Sequence, residues 1–190
     1  MQAVETKPPT ARGPEIWPMS VETYHVLGEM GLIPRKTELL FGQVYHKMSK
    51  SPLHSFLSEF LEDLLRAAVP PGLHVRGEEP LTLAASEPEP DLAVVRGERQ
   101  DYLQAHPTTA ELVIEICVSS HEYDRSKLRA YAKAGVKECW LVLGPERQIE
   151  VHRQPMGEQF TETAVHGPGG QVASSVVSGF AVELASLFAS

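Results

Sequence analysis

Residues 112–127 read Leu112-Val113-Ile114-Glu115-Ile116-Cys117-Val118-Ser119-Ser120-His121-Glu122-Tyr123-Asp124-Arg125-Ser126-Lys127, an apolar run interrupted by one carboxylate and followed by a polar, helix-compatible segment. An ionised carboxylate is excluded from a protein interior unless it is paired or bound to a metal. Alternation along a strand places Val113, Glu115 and Cys117 on one face and Ile114 and Ile116 on the other. The helix that follows returns a lysine to the same neighbourhood. Asp124 and Lys127 stand three apart and share a helix face. Leu128 and Tyr131 lie beside that face and turn it toward the sheet, so Lys127 is expected to point inward. Upstream, Asp91 opens its own strand after Glu87-Pro88-Glu89-Pro90. If the two strands pair, Asp91 approaches Glu115.

The rest of the chain is organised around this unit. Residues 20–30 read as a short helix with Ser20 as cap and Gly31 as stop. Thr37-Glu38-Leu39-Leu40-Phe41-Gly42-Gln43-Val44-Tyr45 reads as two strands about a turn at Phe41-Gly42. Ser51-Pro52 opens a second helix in the favoured cap and first-position order. Its Leu53, Phe56, Leu57, Phe60, Leu61, Leu64 and Leu65 recur at helical spacing. Strands are expected at 73–76 with 80–83, at 91–95 and at 111–118, with an irregular stretch over 97–109. A third helix over 123–134 ends at Gly135. A buried strand follows at 138–143, then strand pieces from 149 on, a Gly-Pro-Gly-Gly loop at 167–170 and a short helix near 182–188. The order helix, strand, strand, strand, helix, strand predicts an α/β (α+β) architecture, a mixed β-sheet flanked by helices.

The chain has 190 residues, enough for one domain over 20–190 after a loose leader at 1–19 rich in proline. Its 42% apolar and 22% charged composition is that of a globular protein, and the short apolar runs exclude a membrane-spanning helix. Residues 1–18 lack the apolar core of a secretion signal, so a cytoplasmic location is the default. Cys117 and Cys139, the two cysteines, both fall in expected strands and read as buried thiols. The formal net charge of −8 argues against a broad basic face for holding a duplex. Arg125, Lys127, Arg129 and Lys133 form one local basic stretch.

Two acids and a lysine at strand ends suit a divalent-metal site for cutting phosphodiesters. A hard cation such as Mg²⁺ (or Mn²⁺) takes one or two carboxylates with water and phosphate oxygens. It polarises the phosphoryl group and acidifies a bound water. Asp91 and Glu115 are the candidate metal ligands, with the backbone carbonyl of Ile116 as a third. Lys127 is the candidate stabiliser of developing negative charge. Other chemistries are weaker. Cys117 with His121 is a poor thiol nucleophile, because a strand cysteine in an apolar run is inert. The histidines lack zinc-ligand spacing, and an aromatic content of 7% gives no sugar-binding surface.

The sequence resembles the Uma-two family of the PD-(D/E)xK nuclease superfamily, which has the restriction-endonuclease-like fold. The resemblance runs through 37–44, the helix containing His54, Glu89-Pro90-Asp91-Leu92-Ala93-Val94-Val95, the 112–128 segment quoted above, and Tyr131 to Trp140. It implies that Asp91 and Glu115 are the metal-binding acids. It also implies that the lysine expected two residues after the Glu, where Cys117 stands, has migrated to Lys127. Glu38 matches a family acid that adds a metal or water contact, and His54 a histidine near the site. His54 and Asp124 are taken as residues that touch substrate or support the ligands. Ser120 replaces a proline common in the family without removing a proposed ligand. The implied partner is nucleic acid, DNA first, with a homodimer by analogy to the fold. The rival expectation is an inactive nucleic-acid or protein-binding module on the same scaffold, since fold does not fix function. A third is a site for a small phosphate ester.

Overall fold

The computed structural model describes residues 16–119 and 121–189. The expected leader lies outside these for residues 1–15, and so does Ser120. The chain begins with α1 (Val21–Glu29), capped by the Ser20 hydroxyl, which accepts from the Thr23 N–H. A hairpin follows, β1 (Thr37–Leu40) and β2 (Gln43–His46). Phe41 and Gly42 both take positive φ (50° and 75°), the geometry of a two-residue turn whose twist matches its strands. Glycine is required at 42 for a second reason, because a Cβ there would run into Pro18.

α2 (Pro52–Ala68) starts where the Ser-Pro signal places it, with the Ser51 hydroxyl accepting the His54 N–H at 3.2 Å. Leu57, Leu61 and Leu65 are fully buried. Leu53 and Phe56, at the same helical spacing, are instead 41% and 48% exposed. The helix buries only its central stripe, and its first turn stands clear of the core.

The body is a six-stranded mixed sheet in the order β3 (Leu73–Gly77), β4 (Leu92–Arg96), β5 (Leu112–Cys117), β6 (Glu138–Leu143), β7 (Gln148–Met156), β8 (Gln159–His166). β5 and β6 run parallel, and α3 (His121–Lys133) makes the crossover between them, as a parallel pair demands. The other neighbours in the sheet are antiparallel. Residues 80–83, expected as a strand, form none; the segment passes as irregular chain with Leu81 bonded to the Pro88 carbonyl, though Leu81 and Leu83 are buried. Alternation of apolar residues was there, but the N–H groups of Leu81, Thr82 and Leu83 go to the separate carbonyls of Pro88, Pro107 and Ser86 and build no ladder. The irregular stretch 97–109 contains a single 3-10 turn, Arg99–Tyr102.

Strand alternation divides the core in two. Ile114 and Ile116 join Leu92, Val94, Trp140 and Val142 under α2 and the C-terminal pieces β9 (Gln171–Ala173), β10 (Ala181–Glu183) and α4 (Leu184–Leu187). Val113 and Cys117 join Cys139, Leu141, Tyr131 and Leu40 under α3 and the β1–β2 hairpin. The result is a helix-sheet-helix sandwich. Cys117 and Cys139 are buried free thiols, as expected.

Glu138, fully buried at the start of β6, ties the C-terminal segment to the sheet. Its carboxylate accepts from Trp140 Nε1 at 2.6 Å, from the Ser175 N–H at 2.8 Å and from Arg153 at 3.3 Å. Removing it strands those donors in the interior, and breaking a buried pair costs about 3 kcal/mol or more. Glu138→Ala is therefore expected to lower the unfolding free energy by roughly that amount, read by urea denaturation.

Candidate functional site: an acid–lysine cluster beside β5

The β4–β5 register pairs Leu92 with Ile114. One step further along this antiparallel ladder, Asp91 lies opposite Glu115, with side chains on the same face. Asp91 is locked there, since its Oδ2 accepts the Ile116 N–H at 2.8 Å. Its Oδ1 faces His54 Nε2 at 3.2 Å and Lys50 Nζ at 3.8 Å. Within a strand the N–H and C=O of one residue point to the same side. The Ile116 carbonyl therefore lies on the Asp91 side, past the end of the β4–β5 ladder.

Glu38 arrives from the other direction on β1. Its Oε2 accepts the Glu89 N–H at 3.1 Å. Its Oε1 lies 3.1 Å from Lys127 Nζ, which is also 3.3 Å from Glu115 Oε1 and 4.0 Å from Asp124 Oδ1. The side chains of Lys127, Glu38 and Glu115 are 5%, 3% and 2% exposed, so this is an interior ion cluster. The Lys127 ammonium sits 5.1 Å from the Tyr123 ring centre. Tyr131 donates its hydroxyl to Glu115 Oε1.

The cluster is not sealed. A cavity of about 190 Å³ is lined by Glu38, Asp91, Glu115, Ile116, Asp124 and Lys127. His54 and the link 46–51 form its rim, where Lys50 is 30% exposed. The expected residues thus meet around one space: Glu38, Glu115, Asp124 and Lys127 on one side, Asp91, Ile116 and His54 on the other. A larger cavity of about 440 Å³ lies elsewhere, around Tyr102, His106 and Lys137, and none of the cluster lines it. Among the described residues, no three His, Cys, Asp or Glu side chains form a ready-made metal cage.

Three participants escaped sequence reasoning. Lys50 sits in an irregular link with no periodicity to assign its direction. Tyr123 and Tyr131 did carry a signal, since they stand four before and four after Lys127 and so share its helix face. The local basic stretch on α3 is divided by the structure. Lys127 turns inward, while Arg125 pairs with Glu150, and Arg129 and Lys133 pair with Glu158. These acids on β7 and on the turn into β8 neutralise the helix's outer face.

Burial pushes Glu115 up to about 8, reinforced by Asp91, Asp124 and Glu38 and opposed by Lys127. Asp91 moves the other way. Burial raises it, but the hydrogen bond and charge of His54, the Ile116 N–H and Lys127 together bring it below the ordinary carboxylate range. Lys127 is disfavoured as a cation by burial, yet Glu115, Glu38 and Asp124 outweigh that and hold its proton more tightly than usual. Adjacent acids whose proton affinities are driven apart are a mark of functional sites. A carboxyl whose folded pKa stands above its ordinary 4.5 binds its proton better in the folded state. Its contribution to stability is present at low pH and is lost as pH rises through about 8. From pH 5 to 8 the wild type should therefore lose stability relative to Glu115→Gln, by on the order of 4 kcal/mol in total. Chemical denaturation at stepped pH without divalent ions measures the difference, and a gap constant with pH would contradict the expectation.

Comparison with known proteins gives the same architecture a family. No curated protein matches the chain. Among solved structures, the crystal structure of a "putative nuclease belonging to DUF820" from Anabaena variabilis aligns with a TM-score of 0.70 at 20% identity, covering 86% of this chain and 97% of that one. At that identity the likeness speaks for the fold. The profile of the Uma2 family, described as "Putative restriction endonuclease", matches residues 22–185. With nearly its whole length so matched, the chain belongs to the Uma2 family.

Proposed function

We propose that the protein is a divalent-metal-dependent nuclease that hydrolyses phosphodiester bonds in nucleic acid, with DNA as the first substrate to test. The observation that carries this reading is the convergence of Asp91, Glu115 and Lys127 on one open cavity, from three separated stretches of chain. Asp91, Glu115 and the Ile116 carbonyl would hold Mg²⁺ or Mn²⁺. The donor set suits a hard cation, which asks for one or two carboxylates and keeps several waters. Bound there, the ion would polarise a phosphoryl oxygen and acidify a water.

The chain's own residues divide the remaining work. Asp91 is anionic and oriented by the Ile116 N–H and His54, so it presents a fixed negative charge. Glu115 is held near its protonation midpoint at mildly basic pH, and a cation bound beside it would displace that proton to solvent. Lys127 holds its proton too tightly to serve as a base. Its role is a positive charge and hydrogen-bond donor beside the attacking water and the developing negative charge on the phosphate. Glu38 fixes that ammonium through one oxygen and is itself fixed by the Glu89 N–H. Asp124 adds to the field that keeps Lys127 charged, and His54 stands at the rim where substrate would enter.

A specific observation favours the rival reading, an inactive binding module: Lys127 already pairs with both Glu115 and Glu38 without any added ion. One experiment separates them. Plasmid, single-stranded DNA and RNA are incubated with the protein in Mg²⁺ or Mn²⁺, and Mn²⁺ binding is followed by calorimetry. The nuclease reading expects metal-dependent cleavage, saturable Mn²⁺ binding, and a loss of about 10²-fold or more in Asp91→Ala, Glu115→Ala and Lys127→Ala. Cleavage that survives the acid substitutions defeats the mechanism, and no saturable metal binding near neutral pH favours the module.

A further inference from the structure

Three lysines line the cavity, and two of them, Lys127 and Lys50, are in opposite circumstances. Lys127 is nearly inaccessible and clasped by three carboxylates. Lys50 lies on the rim, in the irregular link just before the Ser51 cap of α2, with its side chain 30% exposed. It pairs with Glu78, whose side chain is 53% exposed, and stands 3.8 Å from Asp91 Oδ1. A pair with a solvent-exposed partner is worth little, and the contact with Asp91 is long. Lys50 is therefore a loosely held cation, on a flexible four-carbon stem, next to the oxygen of Asp91 that faces the cavity. The neighbouring Lys47 differs in its partner: Glu89 is 27% exposed against 53% for Glu78, and its backbone in turn holds Glu38.

We propose that Lys50 is a displaceable counter-ion of Asp91, which a divalent cation replaces and which then takes a non-bridging oxygen of the substrate phosphate. This rests on the nuclease reading above and adds a substrate-binding residue to it. The like charge of an arriving cation drives the ammonium off Asp91, and the nearest open space is the cavity mouth. The overall charge and the outer face of α3 favour such a residue. The chain carries a formal charge of −8, and the outward cations of α3 are neutralised by Glu150 and Glu158. Local cations at the cavity are the ones placed to attract a phosphate to the site, and Lys50 is the rim lysine whose close partner is the more exposed to solvent.

The test compares wild type, Lys50→Met and Lys50→Arg. Mn²⁺ affinity is measured by calorimetry, and affinity for a fluorescein-labelled oligonucleotide by anisotropy in Ca²⁺ across a series of salt concentrations. Lys50→Met is expected to bind Mn²⁺ about 3- to 10-fold more tightly, because a competing cation is gone. It should bind the oligonucleotide about tenfold more weakly at low salt. Its slope of log affinity against log salt should shrink by about 0.7 for a single strand or 0.9 for a duplex, the loss of one phosphate contact. Lys50→Arg should retain the wild-type slope, a result that a merely structural role at the start of α2 would not produce. An unchanged slope in Lys50→Met, with wild type still binding Mn²⁺ and cleaving, overturns this proposal and leaves the nuclease reading standing. Wild type that binds neither Mn²⁺ nor oligonucleotide overturns both.

Discussion

The ammonium of Lys127, held between Glu38 and Glu115, is the joint on which this molecule turns. It is where β1, β5 and α3 meet, and each of the three brings a charge that none could keep in the interior alone. Taking a carboxylate or an ammonium out of water costs several kcal/mol each after relaxation. Glu115 inside a fully buried strand is therefore tolerable only because α3 delivers Lys127 and Tyr131 to it. Lys127 is tolerable only because the hairpin delivers Glu38. The cluster couples the hairpin, the central strand and the crossover helix into one arrangement.

That cluster is also unbalanced, which gives it chemical character. Five carboxylates, Glu38, Glu89, Asp91, Glu115 and Asp124, line a space with three lysines, of which Lys127 and Lys47 are committed to partners. The surplus negative charge falls unevenly. Asp91 has a backbone N–H and a histidine and keeps its charge; Glu115 is fully buried beside three other carboxylates and gives its charge up below about pH 8. An interior that leaves an acid protonated at neutral pH gives up stability. A purely structural core would gain by replacing such an acid with an apolar residue of similar volume. The proposed cation site would give that cost a purpose. The same surplus explains why a loosely held lysine at the rim has somewhere to rest.

The outer face of α3 illustrates how misleading a linear charge count can be. Four basic residues within nine positions suggest a phosphate-binding strip. In three dimensions one is in the interior and the other three are matched by two glutamates brought over on β7 and the turn into β8. The strip is electrostatically spent within the molecule. The lysine proposed above to meet a phosphate lies at the mouth of the cavity, on a segment with no secondary structure.

Local chemistry determined much of this protein. The caps Ser20 and Ser51, the positive-φ turn at Phe41-Gly42, the alternation in β5 and the stop at Gly135 are short-range effects, fixed by neighbours in the chain, and they were legible as sequence. So was the cost of Glu115 in an apolar run, which pointed to Asp91 and Lys127 before any fold was in hand. Residues 80–83 show the limit of such reasoning: apolar alternation makes a strand only where a neighbouring strand forms a ladder with it. Leu53 and Phe56 show it again, because helical spacing defines a stripe but not how far along the helix the core extends. Tyr131 on Glu115, Lys50 on Asp91 and the Glu158 clasp on α3 join residues 15 or more positions apart. No local periodicity encodes such pairs. They exist because strand register and helix placement bring those side chains within a few ångströms, and only the folded chain sets that distance.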